Sequence, residues 1–457
     1  MRKEKDSMGE MEVPDEALYG ASTQRAVLNF PISGHRMPEG FIRGLGLVKS
    51  ACATANEDLK QLAPNKAELI RSSAREIAEG GLAEQFPVDV FQTGSGTSSN
   101  TNINEVIANR ASQMVGEQIG SRIPIHPNDD VNMGQSSNDI VPTALHVSVA
   151  VALNNILVPS LIQLESSLLK KAEQWNGIVK IGRTHLMDAT PLTLGQEFSG
   201  YATQVNKSVE RANRAIEALQ ELAIGGTAVG TGINCHPEFA AKVVALLSEE
   251  TGIKFREADN HFEAQGGRDD AVEVAGHLNT IAASLTKIAH DVRMLGSGPR
   301  SGLGELNLPA TQPGSSIMPG KVNPVMSEML IQVAIYSMGL CHSVIVGGRD
   351  GHFELNVTIP LIAYSLHEAI GCLGRGAQVF ADRCIDGIEV NKERCSNLVE
   401  HSLMLVTALN PHIGYDRAAE VAKIAYSENK TLRQVLLEKG WLDEETIDQA
   451  LDPTSMV

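Results

Sequence analysis

Apolar residues recur at alternating steps of three and four positions along three stretches of the chain. This spacing puts them on one side of an α-helix and predicts long helices packed side by side at shallow angles. Helices of about 25 to 30 residues would be roughly 40 Å long, which is typical of bundles that assemble across subunits. The pattern therefore predicts an all-α bundle and an oligomer. The periodic positions are Phe198, Tyr201, Val205, Ser208, Ala212, Ala215, Leu219 and Leu222; Val274, Leu278, Ile281, Leu285, Ile288, Val292 and Leu295; and Met326, Met329, Val333, Tyr336 and Leu340.

Shorter helical patterns flank these stretches and suggest three domains. Several modest helices are predicted before residue 118, broken at Pro64 and Pro87, and shorter helices follow residue 391. Residues 1–20 are polar and are expected to form a flexible arm. The predicted domains are a mostly helical N-terminal domain (1–135), a central long-helix domain (136–390) and a small C-terminal helical domain (391–457).

Composition narrows the classes of function. The 457 residues are 42% hydrophobic and 20% charged, with only 4% aromatic side chains, a balance that favours packed helices over a β-sandwich. The formal charge of −17 argues against binding to nucleic acid or to anionic membranes. The six cysteines are scattered without a C-x-x-C motif, and the charged N-terminus lacks the apolar core of a signal peptide. No run approaches 18 apolar residues. A cytoplasmic protein without a membrane span is expected.

Four polar segments carry the candidate chemistry: GSGT (94–97), QSSND (135–139), GRTH (182–185) and GSSIMPGKVNP (314–324). Prolines and glycines exclude a regular helix or central strand from the last of these. Together the segments hold hydroxyls, amides, one histidine and one lysine, a set that suits a small polyanion. No metal-ligand cluster, Ser-His-Asp arrangement or pair of catalytic carboxylates stands out. GGTAVGTG (225–232) matches no nucleotide-binding motif.

Simpler structural roles are open for several of these residues. Ser136, Ser137 or Asn138 could cap the helix that follows, a role compatible with binding. Taken alone, His185 is more often a hydrogen-bonded loop histidine. Ser95 and Thr97 suit an ordinary hydrophilic turn.

Eight segments, in this order, resemble class II fumarases of the fumarase/aspartase superfamily: YGASTQRA, QTGSGTSSNTNINEV, HPNDDVN, QSSND, KIGRTHLMDATPLTLGQE, GGTAVGTG, GSSIMPGKVNP and MLVTALNPHIGYDRAAE. The resemblance covers about residues 14–457. It implies an all-α homotetramer with a central helix bundle, in which each active site draws loops from three subunits. It also implies reversible addition of water to fumarate, giving (S)-malate, without a metal or other cofactor.

The resemblance assigns roles to individual positions. Ser315 would remove the C3 proton of malate, although a water activated by histidine is an open alternative. His185, supported by Glu328, would act as acid and base at the departing hydroxyl. The residues expected to hold the substrate are Ser95, Gly96, Thr97, Ser136, Ser137, Asn138, Thr184, Ser316, Lys321, Val322 and Asn323.

A second anion site is implied at the HPND segment, at His126, Pro127, Asn128 and Asp129. The family often has an arginine three residues before that histidine. Here the position is Ile123, with Arg122 beside it, which departs from the pattern.

Two alternative functions are set against this resemblance. Aspartases perform the same elimination with ammonia leaving. Their corresponding segments look like GRTQ and PAKVNP, whereas this chain has GRTH, with His185, and PGKVNP, with Gly320. A catalytically silent helical scaffold is the other alternative. Loss of Ser315, His185 or Lys321 would favour it, and all three are present.

Overall fold

The computed structural model describes residues 1–457, of which 63% are helical, and it confirms the predicted all-α fold. The α-helices are α1 Ala21–Asn29, α2 Glu39–Asp58, α3 Pro64–Ala78, α4 Thr97–Met114, α5 Ser137–Ala152, α6 Val158–Gln174, α7 Leu194–Ala218, α8 Phe239–Thr251, α9 His261–Gly266, α10 Asp269–Leu295, α11 Val325–Arg349, α12 Ile359–Arg383, α13 Lys392–His401, α14 Asn410–Ile413, α15 Tyr415–Glu428, α16 Leu432–Lys439 and α17 Glu444–Ala450. Short 3-10 or π segments lie at Ala83–Gln85, Pro127–Val131, Leu153–Leu157, Ile385–Gly387, Leu403–Leu409 and Pro453–Met456.

The strands form four two-stranded sheets. The pairs are β1 Arg2–Asp6 with β2 Gly9–Val13, β3 Val179–Thr184 with β4 Met187–Thr193, β5 Glu221–Leu222 with β6 Arg256–Glu257, and β7 Leu306–Asn307 with β8 Glu389–Val390. The β5–β6 pair is parallel and the others are antiparallel. Only β3–β4 carries residues of the predicted site.

The three periodic stretches form the long helices α7, α10 and α11. Burial explains the periodicity, as α10 illustrates: its side chains at Val274, Leu278, Leu285 and Val292 are fully buried along one side. Its first turn carries two aspartates and its last turn an arginine, charges that the helix dipole favours. Helix α7 ends at Ala218, earlier than the periodicity predicts.

The chain divides into two compact units, each made of separate stretches. Unit 1 comprises Met1–Pro159, Val209–Ala283 and Val333–Arg375, and unit 2 comprises Ser160–Ser208, Ser284–Gln332 and Gly376–Val457. The predicted boundaries after residues 135 and 390 fall inside these units. The division into three consecutive domains stays a prediction.

The prediction that residues 1–20 form a flexible arm is wrong, because residues 2–13 form the β1–β2 hairpin. The Arg2 guanidinium donates to the carbonyls of Pro14 and Tyr19 at 2.6 and 2.8 Å and so holds the hairpin against the following turn. Arg25 in α1 also pairs with Asp6 at 2.8 Å. These bonds involve charged side chains, which leave no apolar periodicity in the sequence.

Two helical stretches are long and apolar enough to cross a membrane by length and composition, a result that the lack of an 18-residue apolar run did not predict. In Ser137–Gln174 the most apolar window is 61% buried, and in Val325–Arg349 it is 28% buried. The core helix of a soluble protein passes the same test. Their presence is therefore a weak indication of a membrane span.

Candidate active site

In unit 1, the GSGT and QSSND segments meet at the beginnings of two helices. The hydroxyls of Ser95 and Thr97 share a hydrogen bond of 2.9 Å, and Thr97 Oγ1 donates to Ser137 Oγ at 2.9 Å. Helix α4 begins at Thr97 and helix α5 at Ser137. Two helix N-termini and three hydroxyls therefore lie together, an arrangement that favours an anion.

Gly96 is the residue that lets the chain enter α4. Its φ of +77° is in the left-handed region, and a Cβ there would lie 2.6 Å from Val141 Cγ1. Any other residue would be strained and would also collide with α5. Gly96, which is among the residues predicted to hold the substrate, is therefore required at this position by the backbone itself.

The QSSND segment forms the predicted cap of α5. Ser136 Oγ accepts from the Asn138 N–H at 3.3 Å, and the Ser136 N–H donates to the Asp139 carboxylate at 2.8 Å, which completes a capping box. Asn138 Nδ2 donates to the carbonyl of Ala228 at 2.8 Å. The prediction that this segment caps a helix is therefore confirmed, and the capping role is compatible with substrate binding.

Asp139 is a residue that the sequence analysis missed. Its fully buried carboxylate accepts the Ser136 N–H and also those of Gly225 and Thr227, at 3.1 and 3.0 Å, so it joins QSSND to GGTAVGTG. Burial raises the pKa of Asp139 to about 6, while these three N–H donors act in the opposite direction. The capping pattern S-x-x-D could have indicated the cap, but nothing local indicates the bonds to residues 225 and 227.

Lys49 supports the same segment from α2. It is fully buried, and its Nζ donates to Asn132 Oδ1 at 3.1 Å and to Gln135 Oε1 at 2.8 Å. Burial lowers the pKa of Lys49 to about 8. Asn132 and Gln135 immediately precede the cap of α5, so this lysine fixes the chain that leads into it.

The HPND segment caps a short π-helical turn, Pro127–Val131. His126 Nδ1 accepts from the N–H groups of Asn128 and Asp129 at 3.3 and 3.1 Å. Ile123 is exposed, and the Arg122 guanidinium donates to the carbonyl of Lys5. Two donors that could meet an anion are thus occupied by the histidine ring.

In unit 2, the GRTH segment lies at the end of the β3–β4 hairpin rather than in an irregular turn. His185 and Leu186 form its two-residue tip, between the paired residues Thr184 and Met187. Both tip residues have positive φ, +57° and +62°. The side chains of Thr184 and His185 are exposed and make no hydrogen bond within the chain.

The GSSIMPGKVNP segment folds back on itself. The Gly314 N–H donates to the Lys321 carbonyl at 3.0 Å, and Asn323 Nδ2 donates to the Gly314 carbonyl at 2.6 Å. Ser315 Oγ accepts from the N–H groups of Ile317 and Met318 at 3.2 and 3.0 Å. A negative charge on Ser315 Oγ would therefore meet two donors already in place.

Lys321, Val322, Asn323 and Glu328 line one cavity of about 510 Å³ in unit 2. Glu328 lies in the first turn of α11, and Ser316 and Lys321 are exposed. Lys321 forms no ion pair within the chain, and no hydrogen bond or ion pair joins Glu328 to His185. Unit 2 thus carries the titratable candidates without bringing this pair into contact inside one chain.

Comparison with known proteins shows one family along the chain. The Lyase family matches residues 9–339, and the fumarase C C-terminus family matches residues 405–457. Fumarate hydratase class II of Neisseria meningitidis is 51% identical over 456 residues, covering 100% of this chain and 99% of that protein. The Mycobacterium tuberculosis enzyme of the same name is 52% identical over 460 residues, covering 100% and 96%. The crystal structure of class II fumarase from Schistosoma mansoni has a TM-score of 0.96 and 38% identity, covering 100% of this chain and 98% of that chain.

These similarities define the chain as an enzyme of the Lyase family. Within that family it belongs to the class II fumarate hydratases, as the full-length relatives and the C-terminal match show. The predicted fold class and family are confirmed. The roles of individual residues stay predictions.

Proposed function

We propose that this protein catalyses the reversible hydration of fumarate to (S)-malate by anti addition of water, with no metal or other cofactor. Membership of the class II fumarate hydratases supports the reaction. The geometry of Ser315 carries the mechanism, because its Oγ accepts two backbone N–H bonds in a segment that also holds Lys321.

Removal of the C3 proton is the demanding step of malate dehydration. A proton next to a carboxylate is very weakly acidic, and its removal drives negative charge onto that carboxylate as an aci-carboxylate. Donors fixed around those oxygens stabilise this state more than the ground state and so increase the rate. Lys321 supplies the charge, while hydroxyls and amides supply neutral donors.

Ser315 is the proposed base. A serine hydroxyl is a weak base unless its alkoxide is stabilised. The Ile317 and Met318 N–H groups point at Oγ from 3.2 and 3.0 Å and supply that stabilisation. Lys321 lies in the same segment and adds positive charge.

His185 is the proposed acid and base at the hydroxyl of malate, and Glu328 supports it. In the single chain, His185 is exposed beside Leu186 and Met187, whose exposed fractions are 78% and 70%. An apolar tip of this kind next to a titratable group is expected to be covered by another chain. The proposed His185–Glu328 contact therefore forms between subunits.

The remaining predicted residues hold the two carboxylates. Their members share a hydroxyl, an amide, an ammonium or a backbone N–H, all of which donate to carboxylate oxygens. They are Ser95, Gly96, Thr97, Ser136, Ser137, Asn138, Thr184, Ser316, Lys321, Val322 and Asn323.

We further propose a homotetramer whose active sites take loops from three subunits. Support comes from α11, where Ile335 and Val346 are 62% and 38% exposed. These residues lie about three helical turns apart on the same side, so their exposure leaves an apolar face for another subunit. Sedimentation at assay concentrations tests the proposal, and a monomer with full turnover would overturn it.

A separate dicarboxylate site at His126, Pro127, Asn128 and Asp129 is also proposed. Because Ile123 offers no charge, the site depends on His126 and on the neighbouring Arg122.

We propose a cytoplasmic location, which the six unpaired cysteines support. Cell fractionation tests the location.

Turnover of (S)-malate, followed as the rise in ultraviolet absorbance of fumarate, tests the function, with (S)-aspartate assayed in parallel. Turnover of aspartate but not malate would make the protein an ammonia-lyase. Turnover of neither would favour a silent scaffold.

Ser315→Ala and His185→Asn are each expected to lose roughly 10²–10⁴-fold in turnover while keeping the wild-type oligomeric state. Exchange of the C3 hydrogen of malate in deuterated water separates their roles. His185→Asn should still exchange it, and Ser315→Ala should not. Ser427→Ala and His401→Asn, at exposed positions of α15 and α13, are matched controls. Exchange that survives in Ser315→Ala assigns the base to a water instead.

A further inference from the structure

The tip of the β3–β4 hairpin has an unfavourable backbone. A two-residue tip with positive φ at both positions is normally made by Asn-Gly or a similar pair. Here the residues are His185 and Leu186, with φ of +57° and +62°. Leucine is disfavoured in this region, and its exposed side chain gains no packing within the chain. Within the single chain, contacts behind the tip are what can hold it in this conformation.

A set of four charged residues, two of them buried and two partly buried, lies directly behind the tip. Arg183 Nη1 and Nη2 donate to the two carboxylate oxygens of Glu305 at 2.8 and 3.2 Å. Lys180 Nζ lies 3.8 Å from Glu305 Oε2 and donates to Glu197 Oε1 at 3.2 Å. Glu305 and Lys180 are 0% and 1% exposed, so solvent screens this set little.

An irregularity in the strand directs both cations to one side. Lys180 and Arg183 are three positions apart, and in a regular strand their side chains would point to opposite faces. The register of β3–β4 shifts between Ile181 and Arg183, which re-aims Arg183 toward the carboxylate that Lys180 approaches.

Glu305 is a fixed partner for this strand. Its N–H donates to the Leu295 carbonyl at 3.0 Å, and its carbonyl accepts from the Asn391 N–H at 2.9 Å. A two-pronged bond from Arg183 to an anchored carboxylate therefore fixes the backbone one residue before Thr184 and two before His185.

We propose that the Arg183–Glu305 pair, backed by Lys180 and Glu197, is a positioning device that holds the imidazole of His185 for its role in catalysis. The inference rests on the proposed function of His185. Arg183 and Glu305 act through the backbone of the hairpin, so their loss displaces the ring without removing it. A small displacement of a catalytic group lowers turnover strongly.

A double-mutant cycle with His185 tests the proposal. In the wild-type background, Arg183→Met and Arg183→Met/Glu305→Gln are expected to lower kcat for malate on the order of 10²-fold, with a smaller change in KM. The double variant removes both charges and so avoids a lone buried charge. In the His185→Asn background, the same changes should lower the residual kcat by no more than about twofold. Equal losses in both backgrounds would overturn the proposal.

Hydrogen exchange measures how firmly the hairpin is held, independently of activity. In Arg183→Met/Glu305→Gln, the ladder amides of β3–β4 are expected to exchange roughly tenfold faster or more than in the wild type, and those of α12 at the wild-type rate. Unchanged hairpin exchange would also overturn the proposal. A wild-type protein that does not turn over malate would instead refute the proposed function, and the exchange result would still stand.

Removing a partly buried ion pair elsewhere in the chain is the control. Arg110 and Glu76 in unit 1 pair at 2.8 Å and are partly buried. Arg110→Met/Glu76→Gln should leave kcat within about twofold of the wild type and the exchange of the hairpin unchanged. A loss of kcat like that of the Arg183 variants would point to general destabilisation and overturn the specific role.

Discussion

Asp139→Asn removes the charge from the carboxylate that joins the QSSND and GGTAVGTG segments. The wild-type side chain is fully buried and accepts N–H groups from Ser136, Gly225 and Thr227. The variant keeps the shape of the side chain, but one of its two acceptor oxygens becomes a donor. Two opposing contributions to the free energy of unfolding change together, and they respond differently to pH.

The first contribution is the cost of ionising a buried carboxyl group. The pKa of Asp139 is raised from 3.8 to about 6, so the wild type loses stability as pH rises through this range. The stabilisation that the protonated carboxyl gives to the folded state is fully present below pH 3.8 and is lost as pH rises past about 6. A shift of about two pKa units corresponds to about 3 kcal/mol, of which about 2 kcal/mol falls between pH 4.5 and 7.5. Asparagine does not ionise and lacks this dependence.

The second contribution is the loss of hydrogen bonds. The asparagine NH₂ must face either the Ser136 N–H or the N–H groups of Gly225 and Thr227, and each buried donor left without a partner costs about 1–3 kcal/mol. Measured against the neutral acid, whose hydroxyl oxygen can still accept a hydrogen bond while the asparagine NH₂ cannot, this cost does not depend on pH. We therefore expect the variant to be less stable than the wild type at pH 4.5, with the difference shrinking by about 2 kcal/mol at pH 7.5.

Urea unfolding at pH 4.5 and 7.5, at one fixed protein concentration, measures this difference. Asp259→Asn, at an exposed position, is the control and should show a difference that is the same at both pH values. A constant difference for Asp139→Asn would refute the reasoning, because the carboxylate would then not carry a cost of ionisation. We also expect a higher KM for malate in this variant, since the Ser136–Asn138 donors lose their anchor.

Three further predictions concern single residues. Gly96→Ala should lower the free energy of unfolding by roughly 1–3 kcal/mol in urea titrations, because of its φ of +77° and the 2.6 Å approach to Val141; unchanged stability would contradict that geometry. Lys321→Met should raise KM for malate about tenfold or more and lower kcat, whereas Lys423→Met, an exposed lysine of α15, should change neither in the same assay. His126→Ala should abolish binding of a second dicarboxylate in calorimetric titrations and leave kcat/KM within about twofold; loss of turnover would place it in the active site.

The long helices could be predicted because burial leaves a periodic signal. Val274, Leu278 and Leu285 must all face the interior, and this requirement indicates a helix, although α10 begins at Asp269, before the apolar pattern starts. The two hairpins could not be predicted in this way. All five residues of β1 are charged, so this strand shows no alternation of apolar and polar residues. In β3–β4 the buried Lys180 depends on the carboxylates of Glu197 and Glu305, which lie later in the chain.

The polar segments of the site could be found from their composition, but not their contacts. The bond between Thr97 and Ser137 joins positions 40 residues apart, and the bonds of Asp139 reach residues 225 and 227. The sequence contains no local signal for such distant pairs. The bonds of Ser315 lie within its own segment, yet they depend on how that segment turns back at Gly314, where a Cβ would lie 2.3 Å from the Lys321 carbonyl.

An acidic chain that binds a dianion needs cations that its own carboxylates do not neutralise. With a net charge of −17, several cations are already engaged by carboxylates, for example Arg183 by Glu305 and Lys66 by Asp130. Lys321 is exposed and forms no ion pair within the chain. Local attraction thus comes from Lys321 and from neutral donors at helix N-termini, which act over a few ångströms. Added salt screens the repulsion by the distant negative charges as well as this attraction, so the affinity for the dianion should depend only weakly on ionic strength.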